Sequence, residues 1–158
     1  MPDFSILKSQ LEGSFSKVAN TEKIAADNIA NAFDTYCKSI VNAGGGTFAA
    51  MPGTEILKVK LERIFKQQSL VKTQIASEVA TAIDECFLTL LTTHQTQPPT
   101  PIVGTLVTEC QVLFNKTPNS GTTFGREFAE AIDKSVRTST IVGMLPTSPP
   151  APFSGPPL

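Results

Sequence analysis

Apolar residues recur along this chain at helical rather than strand spacing. Ile56, Leu57, Leu61, Ile64 and Phe65 fall on one stripe of a 3.6-residue helix, and Ile6, Leu7, Leu11 and Phe15 draw the same stripe earlier in the chain. From residue 70 the pattern widens. Leu70, Val71, Ile75, Ala76, Val79, Ala80, Ala82, Ile83, Phe87, Leu90 and Leu91 cover more than half of a helix circumference. A helix apolar over so wide an arc is expected to be the buried central element of its hairpin.

The same arrangement returns twice. Ile29-Ala30-Asn31-Ala32-Phe33-Asp34, Val79-Ala80-Thr81-Ala82-Ile83-Asp84 and Phe128-Ala129-Glu130-Ala131-Ile132-Asp133 all read apolar, Ala, polar, Ala, apolar, Asp. The aspartates stand 50 (34 to 84) and 49 (84 to 133) residues apart, and those offsets also align Leu7, Leu57 and Leu106, and Phe15, Phe65 and Phe114. A period near fifty marks a repeated supersecondary unit. The predicted fold is all-α: three degenerate helical hairpins, about six main helices, and an extended proline-rich tail. The hairpins span 1–46, 54–94 and 101–140 and form one domain, and the tail spans 141–158. Phe15, Phe65 and Phe114 are expected to be buried between the two helices of their hairpins. The alanines at 30, 32, 80, 82, 129 and 131 allow close helix approach.

The punctuation agrees. Asp3, Thr54 and Thr100-Pro101 suit helix starts. Within copies the helices join near Ala19-Asn20-Thr21, Gln68-Ser69 and Thr117-Pro118-Asn119-Ser120-Gly121. Between copies, Ala43-Gly44-Gly45-Gly46 to Pro52-Gly53 and Thr92 to Pro101 are breakers, expected to be flexible or extended connectors. No strand pattern competes with the helical one.

Charge and composition narrow the function. Charged residues are 17% of the chain, below the roughly 25% of an average soluble domain. Much of the surface must then be neutral-polar or apolar, which suits contact with other protein. The net charge of -1 gives no attraction for nucleic acid or anionic lipid. No apolar run reaches the roughly 18 residues that span a bilayer, and Met1-Pro2-Asp3-Phe4 opens no secretion signal. Tyr36 is the sole tyrosine and basic residues are scattered, so the stacking and charge pattern of single-strand binders is missing.

Candidate chemistry is sparse. Asp34, Asp84 and Asp133 could meet at a shared axis and bind a cation, but a residue repeated with the fold is expected first to accept hydrogen bonds from a neighbouring helix start or loop, or simply to face water. Cys37, Cys86 and Cys110 sit inside helical patterns and read as buried reduced thiols, with a disulfide or a metal site as the alternatives. His94, the one histidine, lies in a connector. Gly44-Gly45-Gly46 lacks the Lys-Ser/Thr and the preceding strand of a phosphate loop. No nucleophile elbow is present. No catalytic, cofactor or metal residue is therefore assigned, and the chain is not expected to be an enzyme.

The tail is the informative segment. Residues 138–158 carry no charged side chain and six prolines, at 146, 149, 150, 152, 156 and 157. The segment is predicted to be extended, near polyproline II, with apolar residues that need a cover, the alternative being a merely disordered tail. Met144, Leu145, Phe153 and Leu158 are the candidate partner-binding residues. The P-x-x-P spacing lacks the flanking basic residue that would favour an SH3-type ligand.

The block Ile24-Ala25-Ala26-Asp27-Asn28-Ile29-Ala30-Asn31-Ala32 resembles the helices of small structural proteins from tailed bacteriophages. The likeness extends to the second helix of each copy and to the tail. It implies a virion component of head, neck or tail, made in the host cytoplasm, and it assigns no functional residue. Expected partners are other virion or assembly proteins in multiple copies, with no nucleic acid, membrane or small-molecule substrate. A cytoplasmic helical adaptor or chaperone that binds partner peptides is the alternative, and a carrier with an apolar pocket is a further rival.

Overall fold

The computed structural model describes residues 2–17, 21–67, 71–116 and 120–158. Six helices dominate: α1 (Phe4–Phe15), α2 (Glu22–Cys37), α3 (Thr54–Lys66), α4 (Lys72–Phe87), α5 (Val103–Asn115) and α6 (Gly121–Val136). Four short strands accompany them: β1 (Phe48–Ala50), β2 (Leu91–Thr92), β3 (Ile141–Leu145) and β4 (Ala151–Gly155). The joints at 18–20, 68–70 and 117–119 lie outside the described residues.

Local chemistry sets the helix ends. The Asp3 carboxylate accepts from the Ser5 amide, Thr21 from Ile24 and Ser120 from Thr123, each satisfying a first-turn N–H. The helix expected at Thr100-Pro101 starts later, at Val103. The reason is remote in sequence: Asp84 of α4 accepts hydrogen bonds from the Ile102 and Val103 amides.

The helices pack in chain order, and α1 packs on α6, so the six close into a ring. α3 lies between α2 and α4, α5 between α4 and α6, and α1 between α6 and α2. α2, α4 and α6 therefore bury both flanks, as their wide apolar arcs require. They bury corresponding residues: Ala26, Ile29, Ala30, Ala32, Phe33, Tyr36 and Cys37; Ala76, Val79, Ala80, Ala82, Ile83, Cys86 and Phe87; Gly125, Phe128, Ala129, Ala131, Ile132, Ser135 and Val136. Their last turns match as well. The amides of Lys38, Ser39 and Ile40 bond the carbonyls of Asp34, Tyr36 and Cys37; Leu88 to Leu90 and Arg137 to Ser139 do the same one hairpin later each time. Phe33 meets Phe87 across the centre, with ring centroids 6.5 Å apart.

Two expectations about apolar residues are corrected. Phe15, Phe65 and Phe114 are half-buried, not fully enclosed. Phe15 and Phe114 both lie against Phe124 of α6, at 4.9 and 5.4 Å between centroids, because α6 sits between α1 and α5. Ile56, counted in the apolar stripe, is 59% exposed, while Leu57, Leu61 and Ile64 carry the burial on α3.

The connectors are not loose, and the tail is not a lone extended segment. Strands form where the sequence showed no strand pattern: each is only two to five residues long, and β1 and β2 pair across distant connectors. All lie at the end where α2, α4 and α6 finish. Val41 pairs with Thr47, and β1 with β2. Gln95 pairs with Gly143 of β3, and β3 with β4. Val41 and Leu158 exchange both backbone hydrogen bonds, at 2.9 and 2.7 Å. The segments near 41, 47–50, 91–96, 141–145 and 151–158 thus form a closed ring of pairings, a cap on the bundle. The prolines fit this role: 146, 149 and 150 fall in or beside the β3–β4 turn, and Pro152 faces away from the ladder, where no N–H is needed.

Where α1 and α6 meet, a Cβ on Gly125 would lie 2.5 Å from the Leu11 carbonyl oxygen. Alanine normally stabilises a helix interior by about 1 kcal/mol relative to glycine. Gly125→Ala is expected to destabilise instead, read as a lower urea midpoint. A raised midpoint would show that the two helices can separate freely.

Candidate functional site

The repeated aspartates act as clasps between hairpins, each hairpin being one consecutive helix pair. Asp34 accepts from the Thr54 hydroxyl at 3.0 Å, joining the first pair to the second. Asp84, only 5% exposed, accepts from the amides of Ile102 at 2.6 Å and Val103 at 3.1 Å, joining the second to the third. Asp133 accepts from the Tyr36 hydroxyl at 2.7 Å and from Arg137 Nε at 2.6 Å, joining the third back to the first. The carboxylate beside the start of α5 also complements the positive end of that helix. Burial, and next the hydrogen bond to Asp133, push the Tyr36 phenol well above its ordinary value. Among the described residues no group of three or more His, Cys, Asp or Glu side chains is placed to hold a metal ion.

The cysteines are buried free thiols. Burial pushes Cys86 and Cys110 up to about 12 and Cys37 well above its ordinary value, so none is poised as a thiolate. His94 is exposed and adopts φ of 67°, and its carbonyl accepts from the Met144 amide. The glycine loop offers its amides to no phosphate: Gly44 and Gly46 both donate to the Asn42 Oδ1, and Gly45 to the Asn42 carbonyl. Asn42 is fully buried, and its Nδ2 donates to the Thr92 hydroxyl and the Thr93 carbonyl at 2.8 Å each. All four hydrogen-bonding positions of its side chain are used.

The four candidate contact residues separate. Met144 and Leu158 are 45% and 42% exposed. Phe153 is half-buried against its own chain; Cβ atoms on Gly44 and Gly143 would stand 2.6 and 2.3 Å from its ring. Leu145 lines a shallow pocket with Gly44 to Thr47, Thr93 and His94. Val59 and Val112, which the sequence did not single out, are exposed too, and so are Val71 and Leu91, which it placed in the apolar arc. Val59 and Val112 lie off the apolar stripes, which was a readable signal.

The grooves within hairpins are mixed: a small one beside Gly53, Ile56, Leu57, Ala82 and Cys86 is mainly apolar, and the larger ones carry charged side chains. One of about 500 Å³ between α3 and α4 is lined by Lys60, Arg63, Gln67, Glu78 and Glu85, with Lys60 and Glu85 paired to each other. Between α5 and α6, Glu109 and Lys134 pair at 2.5 Å, at the corresponding positions with signs exchanged. Among the described residues no helix is long and apolar enough to cross a membrane. No protein-family model matches the chain, and neither does any curated protein or solved structure.

Two outcomes follow from these contacts. Asp84→Ala leaves two amides at the start of α5 without their acceptor and is expected to cost about 1–3 kcal/mol in chemical denaturation. Asp27→Ala, which breaks only a surface pair with Lys23, is expected to change stability by less than about 0.5 kcal/mol. Equal effects would mean that the clasp is not a structural bond.

The thiols set an alkaline limit. Unfolded cysteine ionises near 9.0, and folded Cys86 and Cys110 near 12. Their contribution is therefore complete below pH 9 and lost as pH rises toward 12. The urea midpoint is expected to fall across that window, and Cys110→Ala to flatten the fall. An unchanged slope in that variant would contradict the assignment.

Proposed function

We propose that the chain is a non-enzymatic structural or assembly protein built from three degenerate helical hairpins, and a component of a bacteriophage virion in head, neck or tail. The observation that carries this reading is the placement of Met144 and Leu158. Both are large apolar side chains held exposed on hydrogen-bonded backbone, Met144 on β3 and Leu158 beyond β4 against Val41, in a sparsely charged segment. Ordered apolar exposure of this kind fits contact with other protein. The repeat reading draws support from the matched buried positions of α2, α4 and α6, their matched last turns, and the sign-exchanged pairs Lys60–Glu85 and Glu109–Lys134.

The partners on this reading are virion or assembly proteins in multiple copies, without nucleic acid, membrane or small-molecule substrate. The alternative, a cytoplasmic adaptor that binds peptides, draws on the groove between α3 and α4. That groove is lined mainly by charged and polar side chains, so it offers few apolar anchors to a peptide helix.

Removing the tail after Arg137 would not be a clean test, since it deletes buried Ile141 and the bonds to Thr96 and Thr100. The point variant Met144→Asp/Leu158→Asp keeps the backbone pairings. The native chain is expected in purified particles at fixed stoichiometry by quantitative mass spectrometry, and the double variant to be depleted several-fold. Absence of the native chain from particles would remove the virion reading.

A further inference from the structure

We infer that the strand cap is a self-association face, and that its partner is the cap of a second copy of this chain. The inference deepens the assembly reading and rests on it for its biological setting.

The first observation is a segregation of charge. None of the thirteen basic or fourteen acidic side chains falls in residues 39–53, 88–102 or 138–158. These three segments are remote in sequence, yet their strands and bridges pair to form the cap. All charge is left to the helices and the residues beside them. Leu91, Met144 and Leu158 stand exposed in the uncharged segments.

The second observation concerns the route of contact. Val142 and Met144 turn their backbone groups toward Thr96 and His94. Gly143 therefore bonds Phe153 across the hairpin, and Pro152 and Ser154 direct their backbone groups outward. With Pro152 lacking an N–H and Pro156 two residues beyond Ser154, that edge cannot accept a regular added strand. Contact along that edge must run through side chains.

The third argument fixes the partner. A charged surface set against this cap would lose hydration without gaining a counter-charge. The sides of the bundle carry such charge, in pairs such as Lys66–Glu62 and Lys116–Glu127. The cap segments carry no charged side chain, and a two-fold axis brings such like patches together. Size permits it: a stable contact takes about 800 Å² per partner, roughly a tenth of this chain's 7882 Å², and the three segments make up about a third of its residues.

The test is sedimentation velocity on the full chain over a concentration range, at low and high salt. The expected result is a monomer–dimer equilibrium in about the micromolar range that added salt leaves unchanged or strengthens. Leu91→Glu/Met144→Glu should weaken it at least about tenfold with melting unchanged, and Ile56→Glu/Val59→Glu on α3 should not. If the double cap variant melts early, Met144→Glu alone carries the test. A chain still monomeric at about 300 μM, dimerisation abolished by salt, or an equal effect of the α3 variant would each overturn the proposal. A chain that dimerises through the cap yet is absent from particles supports the contact and removes the virion reading instead.

Discussion

The structure depends on one constraint: α2, α4 and α6 are each apolar over more of their circumference than one partner helix can cover. A hairpin on its own would leave Ala26, Ala76 or Gly125 and their neighbours in water. The solution is mutual, with every second helix wedged between its own first helix and a first helix of another hairpin. Closing that ring requires α1 to meet α6, and there the chain has glycine at 125 where the other hairpins have alanine at 26 and 76. Burial in such a ring is shared, so the hairpins are interdependent in stability.

Polar bonding follows the same topology. The aspartates at 34, 84 and 133 occupy matching positions, yet each takes a different donor from the next hairpin: a hydroxyl, two backbone amides and a phenol. A carboxylate accepts from any of these, so the clasp survives divergence of its partner. At the same end the connectors carry backbone groups that no helix satisfies, and they satisfy one another through the ring of short pairings. Asn42 fastens two connectors with one buried, fully bonded amide. The cost of leaving such a group unpaired explains why the cap closes rather than frays.

Much of the helical layer was legible in the sequence, because a 3.6-residue period repeats whenever a helix has one covered face. Asp3 and Thr54 marked helix starts well, whereas the start of α5 was displaced by Asp84, which no local pattern encodes. The strands were not legible. They are too short to show alternation, and β1 and β2 find each other across different connectors. The tail prolines read as polyproline II because sequence does not reveal which backbone groups face a neighbour; in the structure Pro152 faces outward and the turn takes three others. Among the exposed apolar residues of the cap, Met144 and Leu158 could be found as large apolar residues in an uncharged stretch. Leu91 could not, since it follows directly on an apolar helical pattern and was counted with the core.

The most direct measurement of the shared core is native-state hydrogen exchange followed along the whole chain. The account predicts that the central amides of α2, α4 and α6 exchange through one common opening, with equal free energies that fall together when denaturant is added. If one hairpin opened at a distinctly lower free energy while the other two kept full protection, the hairpins would be separate units, and the interdependence argued here would be contradicted.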